Sequence, residues 1–240
     1  MSTPHAAIET YAARLEQSLP LVRQRIGRAA DLAGRRPGEI RLVAVTKAHP
    51  LAALEAALAA GLRDLGENRV EELEEKVLAL GRAGATWHLI GHVQSRKARR
   101  AMESADLIHS VDSVRLGERL SRLAAEEGRT VSVLAQVNTS GEETKSGFAA
   151  EDAVERVHAL AESPGLDVRG LMTMAPLVDD ESMIGATFAR LRQVLERLRA
   201  VTDGVGTELS MGMTHDLEIA IREGSTMVRV GTALFGERAG

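Results

Sequence analysis

The sequence predicts a single (β/α)8 barrel spanning residues 1–240, with one additional helix at its N-terminus. Three observations carry this prediction. Eight short apolar runs alternate with helix-like segments, which is the pattern of a parallel sheet wrapped by helices. Right-handed crossovers then favour either a closed barrel or an open doubly wound sheet. Only about ten residues follow the last apolar run, too few for an eighth outer helix, whereas the opening helix is spare and can take that position.

The opening segment places Ile8, Ala12, Leu15, Leu19, Val22, Ile26 and Ala29 at gaps of three and four, one face of an amphipathic helix. Pro20 predicts a kink or a division within it. After Gly34 and Pro37 the strands are expected at Arg41–Thr46, Asp64–Leu65, Thr86–Ile90, Leu107–Val111, Val131–Val137, Val168–Met174, Glu208–Met211 and Met227–Val230. Helices are expected near 51–60, 68–80, 95–103, 113–127, 150–162, 181–202 and 215–223. The doubly wound alternative lacks a Gly-x-Gly-x-x-Gly turn after the first strand.

Composition narrows the function classes. A formal charge of -4 and 44% hydrophobic residues describe an ordinary globular chain with no general attraction to nucleic acid or anionic lipid. Cysteine is absent, which removes disulfides, thiolate metal sites and a cysteine nucleophile. No basic region followed by an apolar core opens the chain, and no apolar stretch is long enough to span a bilayer, so a cytoplasmic protein is the expectation.

Lys47 is the residue that asks for a reason. It follows the apolar run Ile40–Val45, while the other lysines, Lys76, Lys97 and Lys145, lie in polar segments. A desolvated amine at a strand end is a neutral nucleophile able to form a Schiff base with an aldehyde or ketone. The plainer reading is a surface lysine whose stem lies over apolar neighbours. In a barrel, strand C-termini converge on one face, and Lys47 would share it with Asn68, His92, Asp112, Asn138, Met174, Ser210 and Gly231-Thr232.

The loops after the last two strands are suited to a phosphate. Ser210-Met211-Gly212-Met213 precedes a helix opened by Thr214 and Asp216, and Gly231-Thr232 follows the final strand. Small residues let backbone N–H groups approach an anion. They also make ordinary turns. Arg229 alternates with Val228 and Val230, so it points into the barrel, where a guanidinium must be paired or meet a ligand. An amine, a cation and a phosphate cradle together suit a phosphorylated aldehyde with a ring nitrogen, a description that pyridoxal 5'-phosphate (PLP) meets.

The segments LVAVTKAHP, GENRVEEL, WHLIGHVQSRK, IHSVDS, TKSGF, RGLMTM, LSMGMTHDLEIAI and GSTMVRVGTALFG run in order from about residue 20 to the C-terminus. Together they resemble the motif series of the pyridoxal phosphate homeostasis proteins. The resemblance implies a barrel similar to the N-terminal domain of bacterial alanine racemase, with PLP carried as an internal aldimine on Lys47. It also implies that Arg229 faces the pyridine nitrogen, that Ser210, Gly231 and Thr232 hold the phosphate with backbone help from Met211 or Gly212, and that Asn68 lies near the ring. His92 stands where that family varies.

The same resemblance raises an amino-acid racemase as the competing class. Racemisation needs two positioned bases. Lys47 could be one; in alanine racemase the other is a tyrosine of the C-terminal domain of the partner subunit. That domain is expected to be missing here, and the sequence offers Tyr11 alone, in the opening helix, with His88, His92 or His215 as substitutes in principle. A cation against the ring nitrogen disfavours its protonation and weakens the ring as an electron sink, which argues against decarboxylation and aldol chemistry more than against racemisation. The combined expectation is a monomeric, non-catalytic carrier that holds PLP and supplies it to PLP-dependent apo-enzymes.

Other motifs point elsewhere. Ser95–Arg100, SRKARR, reads as a solvated helix face rather than a nucleic-acid contact at this net charge. His88 and His92 are four apart but straddle a strand and a glycine turn, which argues against a metal pair. Glu71, Glu72, Glu74 and Glu75 read as the wet side of a helix with Lys76 nearby, and Asn138–Gly147 as a mobile loop whose Lys145 could receive PLP in transit.

Overall fold

A computed structural model of the protein describes residues 4–82, 84–142 and 146–237. In chain order the elements are α1 (Pro4–Leu32), β1 (Arg41–Val45), α2 (Leu51–Ala59), β2 (Asp64–Glu67), α3 (Val70–Leu80), β3 (Thr86–Leu89), α4 (Ala98–Ser104), β4 (Leu107–Val111), α5 (Val114–Glu126) and β5 (Val131–Asn138). There follow β6 (Phe148–Ala149), α6 (Ala153–Ala161), β7 (Leu166–Met172), α7 (Glu181–Arg199), β8 (Val205–Ser210), α8 (Leu217–Arg222), β9 (Met227–Val230) and α9 (Thr232–Phe235).

Eight of the strands form a closed parallel ring. Neighbours run β4, β3, β2, β1, β9, β8, β7, β5, and a β4–β5 pairing completes the circle. Toward their C-terminal ends these strands are buried on both faces, so most read as short apolar runs and not as alternating ones. The two-residue β6 stands outside the ring, pairing Phe148 with Val137. It has no signature in the sequence pattern because it is too short to show a period.

β2 extends two residues beyond its apolar core. Gly66 pairs with both Val45 and His88, and a Cβ there would lie 3.0 Å from a Val43 methyl, so glycine fits the crowded wall without ending the strand. This extension puts Glu67 in the sheet.

α1 runs unbroken through Pro20. A proline forfeits one helix hydrogen bond, but Leu15, Leu19, Val22 and Ile26 on the opposite face are buried against α2, α8 and α9. That packing outweighs the local loss. The helix thereby occupies the eighth outer position, and it also fastens α9 and the loop after β8: Ser18 donates to the Leu234 carbonyl at 2.8 Å and Arg25 to the Thr214 carbonyl at 2.8 Å.

The inside of the barrel is divided. Leu107, Leu134, Met172 and Met227 form a small apolar cluster separate from the helix-facing core. Beside them lie the buried polar side chains of His88, His109, Ser210 and Arg229. No helix among the described residues is long and apolar enough to cross a membrane.

Candidate functional site

The strand C-termini open into a cavity of about 760 Å³. Of the residues singled out from sequence, Lys47, Asn68, His92, Arg229, Gly231 and Thr232 line it. Met174 lies on its rim. These groups come from β1, β2, β3, β7 and β9, so only ring closure brings them together.

Lys47 sits in a tight turn. His49 N–H donates to the Thr46 carbonyl at 3.0 Å, and Ala48 adopts a left-handed φ of 60°, costly for a residue with a Cβ. Glu72 accepts the Ala48 N–H at 2.6 Å, while Lys76 donates to the Thr46 carbonyl at 2.8 Å. The peptide groups on either side of Lys47 are therefore tied to α3.

Behind that turn is a buried ionic cluster. Lys76 lies 2.7 Å from both Glu67 and Glu72, and Thr46 Oγ1 donates to Glu67 at 2.5 Å. Burial pushes the Glu67 carboxyl up to about 7, with Lys76 acting in the opposite sense. Its Oε2 is buried without a hydrogen-bond partner. Lys76 thus does not join the wet face expected of it. Val70 and Leu73 face the wall, and Lys76 continues that stripe at the next gap of three.

Arg229 is held from the strand ends. Its Nη1 donates to the Ser210 carbonyl at 2.8 Å and to Ser210 Oγ at 2.6 Å, and its Nη2 donates to the Thr173 carbonyl at 3.1 Å. Burial draws the guanidinium down to about 10, partly opposed by Asp216, which leaves it cationic at neutral pH. Ser210 is fully buried, its hydroxyl engaged by Arg229 and by His109 Nδ1 at 2.9 Å.

The loop after β8 meets the cavity one step later than the motif suggested. Met213, Thr214 and His215 line it, whereas Ser210, Met211 and Gly212 lie behind. Gly212 has a φ of 94°, and a Cβ there would lie 2.5 Å from that of Ala220, so the loop is pressed against α8. Asn138 is also turned from the cavity: it accepts from Ser140 N–H and donates to the Glu142 carbonyl at 2.8 Å, shaping its own loop. His92 is exposed and bonded to Asp112 at 2.8 Å.

Gln136 and His49 are among the lining residues that escaped the sequence reading. Gln136 is buried in β5 and donates to the Ser146 carbonyl at 2.9 Å, pinning the loop that follows. His49 lines the cavity with its Nδ1 3.0 Å from the Tyr11 hydroxyl, and both rings pack near Phe235. Lys145 lies outside the described residues.

Residues 18–239 match the family model described as alanine racemase, N-terminal domain. A pyridoxal phosphate homeostasis protein of Pseudomonas aeruginosa is 43% identical over 224 residues, covering 93% of this chain and 96% of that one. The chain belongs to the pyridoxal phosphate homeostasis protein family.

The family barrel recurs in solved structures. A protein of unknown function from Bifidobacterium adolescentis superposes with a TM-score of 0.90 at 40% identity, covering 94% of this chain and 96% of that one. PipY of Synechococcus elongatus, in a structure with PLP bound, gives a TM-score of 0.77 at 41% identity, covering 88% of this chain and all of that one. The basic run SRKARR, by contrast, carries no separate site: Lys97 and Arg100 pair with acidic residues of α3, and Arg99 with Glu126 and Glu127 at the end of α5.

Proposed function

We propose that the protein binds PLP at the barrel mouth through Lys47, and that it holds and supplies the cofactor in the cytoplasm, as a monomeric single barrel, without turning over a substrate. The observation that carries this reading is that Lys47 and the buried Arg229 line one cavity, together with Gly231 and Thr232. Its volume, about 760 Å³, is in the usual range for a cofactor site.

The donor set fits the group. PLP brings an aldehyde that condenses reversibly with a primary amine, a ring nitrogen and a phosphate. Lys47 supplies the amine, and the α3 clamp on Thr46 and Ala48 keeps its backbone aimed at the cavity. Arg229, a donor only, would meet the ring nitrogen. Gly231 and Thr232, at the start of α9, would receive the phosphate, with Thr214 from the neighbouring loop; Ser210, Met211 and Gly212 would support them from behind. Asn68 would lie near the ring.

A guanidinium at the ring nitrogen gives the nitrogen no proton and limits how much charge the ring accepts. That arrangement argues against decarboxylation and aldol chemistry more than against racemisation, which needs in addition two positioned bases. Release to PLP-dependent apo-enzymes completes the role, and the PLP-homeostasis relatives support it by name.

The test is incubation with PLP, borohydride treatment and peptide mapping. A stable adduct on Lys47, lost in Lys47→Ala, is expected; an adduct confined to another lysine, or none, would sink the assignment. In deuterated water the loaded protein should leave the α-protons of single L-amino acids unexchanged, and formation of D-isomers would establish a racemase instead.

A further inference from the structure

Inside the barrel, four side chains connect Arg229 to the opposite end of the molecule. Ser210 Oγ lies 2.6 Å from Arg229 Nη1 and 2.9 Å from His109 Nδ1. His109 Nε2 lies 2.8 Å from His88 Nδ1, and His88 Nε2 lies 3.0 Å from Asp64 Oδ1. Asp64 opens β2 at the N-terminal rim, where Arg41 stands 3.7 Å away. His88, His109 and Ser210 are completely shielded from solvent, so water cannot replace these bonds.

With both imidazoles neutral, the direction of every proton follows. A guanidinium only donates and a carboxylate only accepts. With Ser210 accepting from Arg229, its own proton goes to His109 Nδ1; His109 then carries hydrogen on Nε2 and donates to His88 Nδ1, and His88 donates from Nε2 to Asp64. Reversing the histidines would set two acceptors against each other at Asp64. We infer that Asp64, His88, His109 and Ser210 form a one-way hydrogen-bond relay that positions the Arg229 guanidinium at the cavity and couples ligand binding at the mouth to a carboxylate at the far rim. Burial, with Arg229 and Arg41 acting in the same sense, holds His109 well below the usual histidine range and so keeps it neutral, as the relay requires. Three Arg229 hydrogen bonds to Ser210 and Thr173 then fix the plane of the group.

The effect on ligand binding rests on the proposed PLP site, but the relay can be judged without it. Nitrogen NMR of the ligand-free full chain should find both His88 and His109 as Nε2–H tautomers. A Nδ1–H tautomer on either ring would overturn the relay. Asp64 is partly exposed, so Asp64→Asn preserves shape with little risk to folding; it should weaken PLP binding by about fivefold, within the range of coupling between sites, and move the absorption band of the bound cofactor. Ser210→Ala, which cuts the relay at its other end, should do the same. Wild-type affinity and spectrum in both variants would refute the coupling. Failure of the wild-type chain to bind PLP would instead refute the site, leaving the tautomers to decide the relay.

Discussion

Lys76 Nζ lies 2.8 Å from the carbonyl oxygen of Thr46, the residue immediately before Lys47. Through Glu72, 2.7 Å away, the same ammonium is linked to the Ala48 N–H on the other side. One buried ion pair on α3 therefore holds both peptide groups that flank the candidate lysine. A left-handed alanine persists only where its surroundings dictate the conformation, and this pair does so.

Lys76→Met should therefore be severe. It strands Glu67 and Glu72 without their ammonium, and breaking a buried pair from one side typically costs about 3 kcal/mol. Urea unfolding measures the loss, and borohydride trapping at Lys47 should slow in parallel. A change below about 0.5 kcal/mol, the range of ordinary surface substitutions, would show that the clamp contributes little.

Glu67 gives stability a pH dependence of known sign. In the unfolded chain its carboxyl loses the proton near 4.5, whereas in the folded protein it keeps it to about 7. The folded state binds more protons between those values, so this contribution is present in full below the lower value and is lost as pH rises through the window. Glu67→Gln removes the titration. Denaturant midpoints of wild type minus variant should fall from about pH 4.5 to about pH 7, and the subtraction cancels the opposite trend from His109, whose depressed pKa costs stability as pH drops below 6.5. A flat difference would contradict the burial argument.

Gly91→Ala tests how closely the mouth is packed. A Cβ at Gly91 would fall 2.1 Å from the Asn68 carbonyl oxygen, a backbone atom that cannot rotate away. The β2 and β3 ends must separate, at about 1–3 kcal/mol for overpacking. Lower thermal stability and weaker PLP binding are expected together; wild-type values for both would mean the strand ends yield freely.

Tyr11→Phe deletes the hydroxyl that meets His49 Nδ1 at 3.0 Å while keeping the ring contacts to His49 and Phe235. A loss of about 1 kcal/mol is expected, as for one partly buried hydrogen bond. Calorimetry measures it. Trapping at Lys47 should continue, since the His49 N–H still closes the lysine turn on the Thr46 carbonyl at 3.0 Å without the hydroxyl.

Much of the architecture was legible locally. Apolar runs of strand length separated by amphipathic helices specify the unit, and the apolar stripe of α1 marks it as a further helix packed on the barrel. Lys47, Asn68, Arg229, Gly231 and Thr232 were readable because strand ends of a barrel share one face, and all five line the cavity. Lys76 could have been found: it follows Val70 and Leu73 on the buried stripe of α3, but its Glu72 neighbour at i,i+4 looks like an ordinary solvent pair.

What the sequence determined by itself is the alternation of elements, their order and the residue types at each strand end, because these depend on periodicity and on neighbours a few positions apart. Only the tertiary structure decided which face of each loop meets the cavity: Thr214 in place of Ser210, Gln136 in place of Asn138. It alone joined Asp64 to Arg229 across the barrel through His88, His109 and Ser210. Those partners lie on different strands and meet only when the ring closes, and sequence spacing carries no record of which side chains closure will press together.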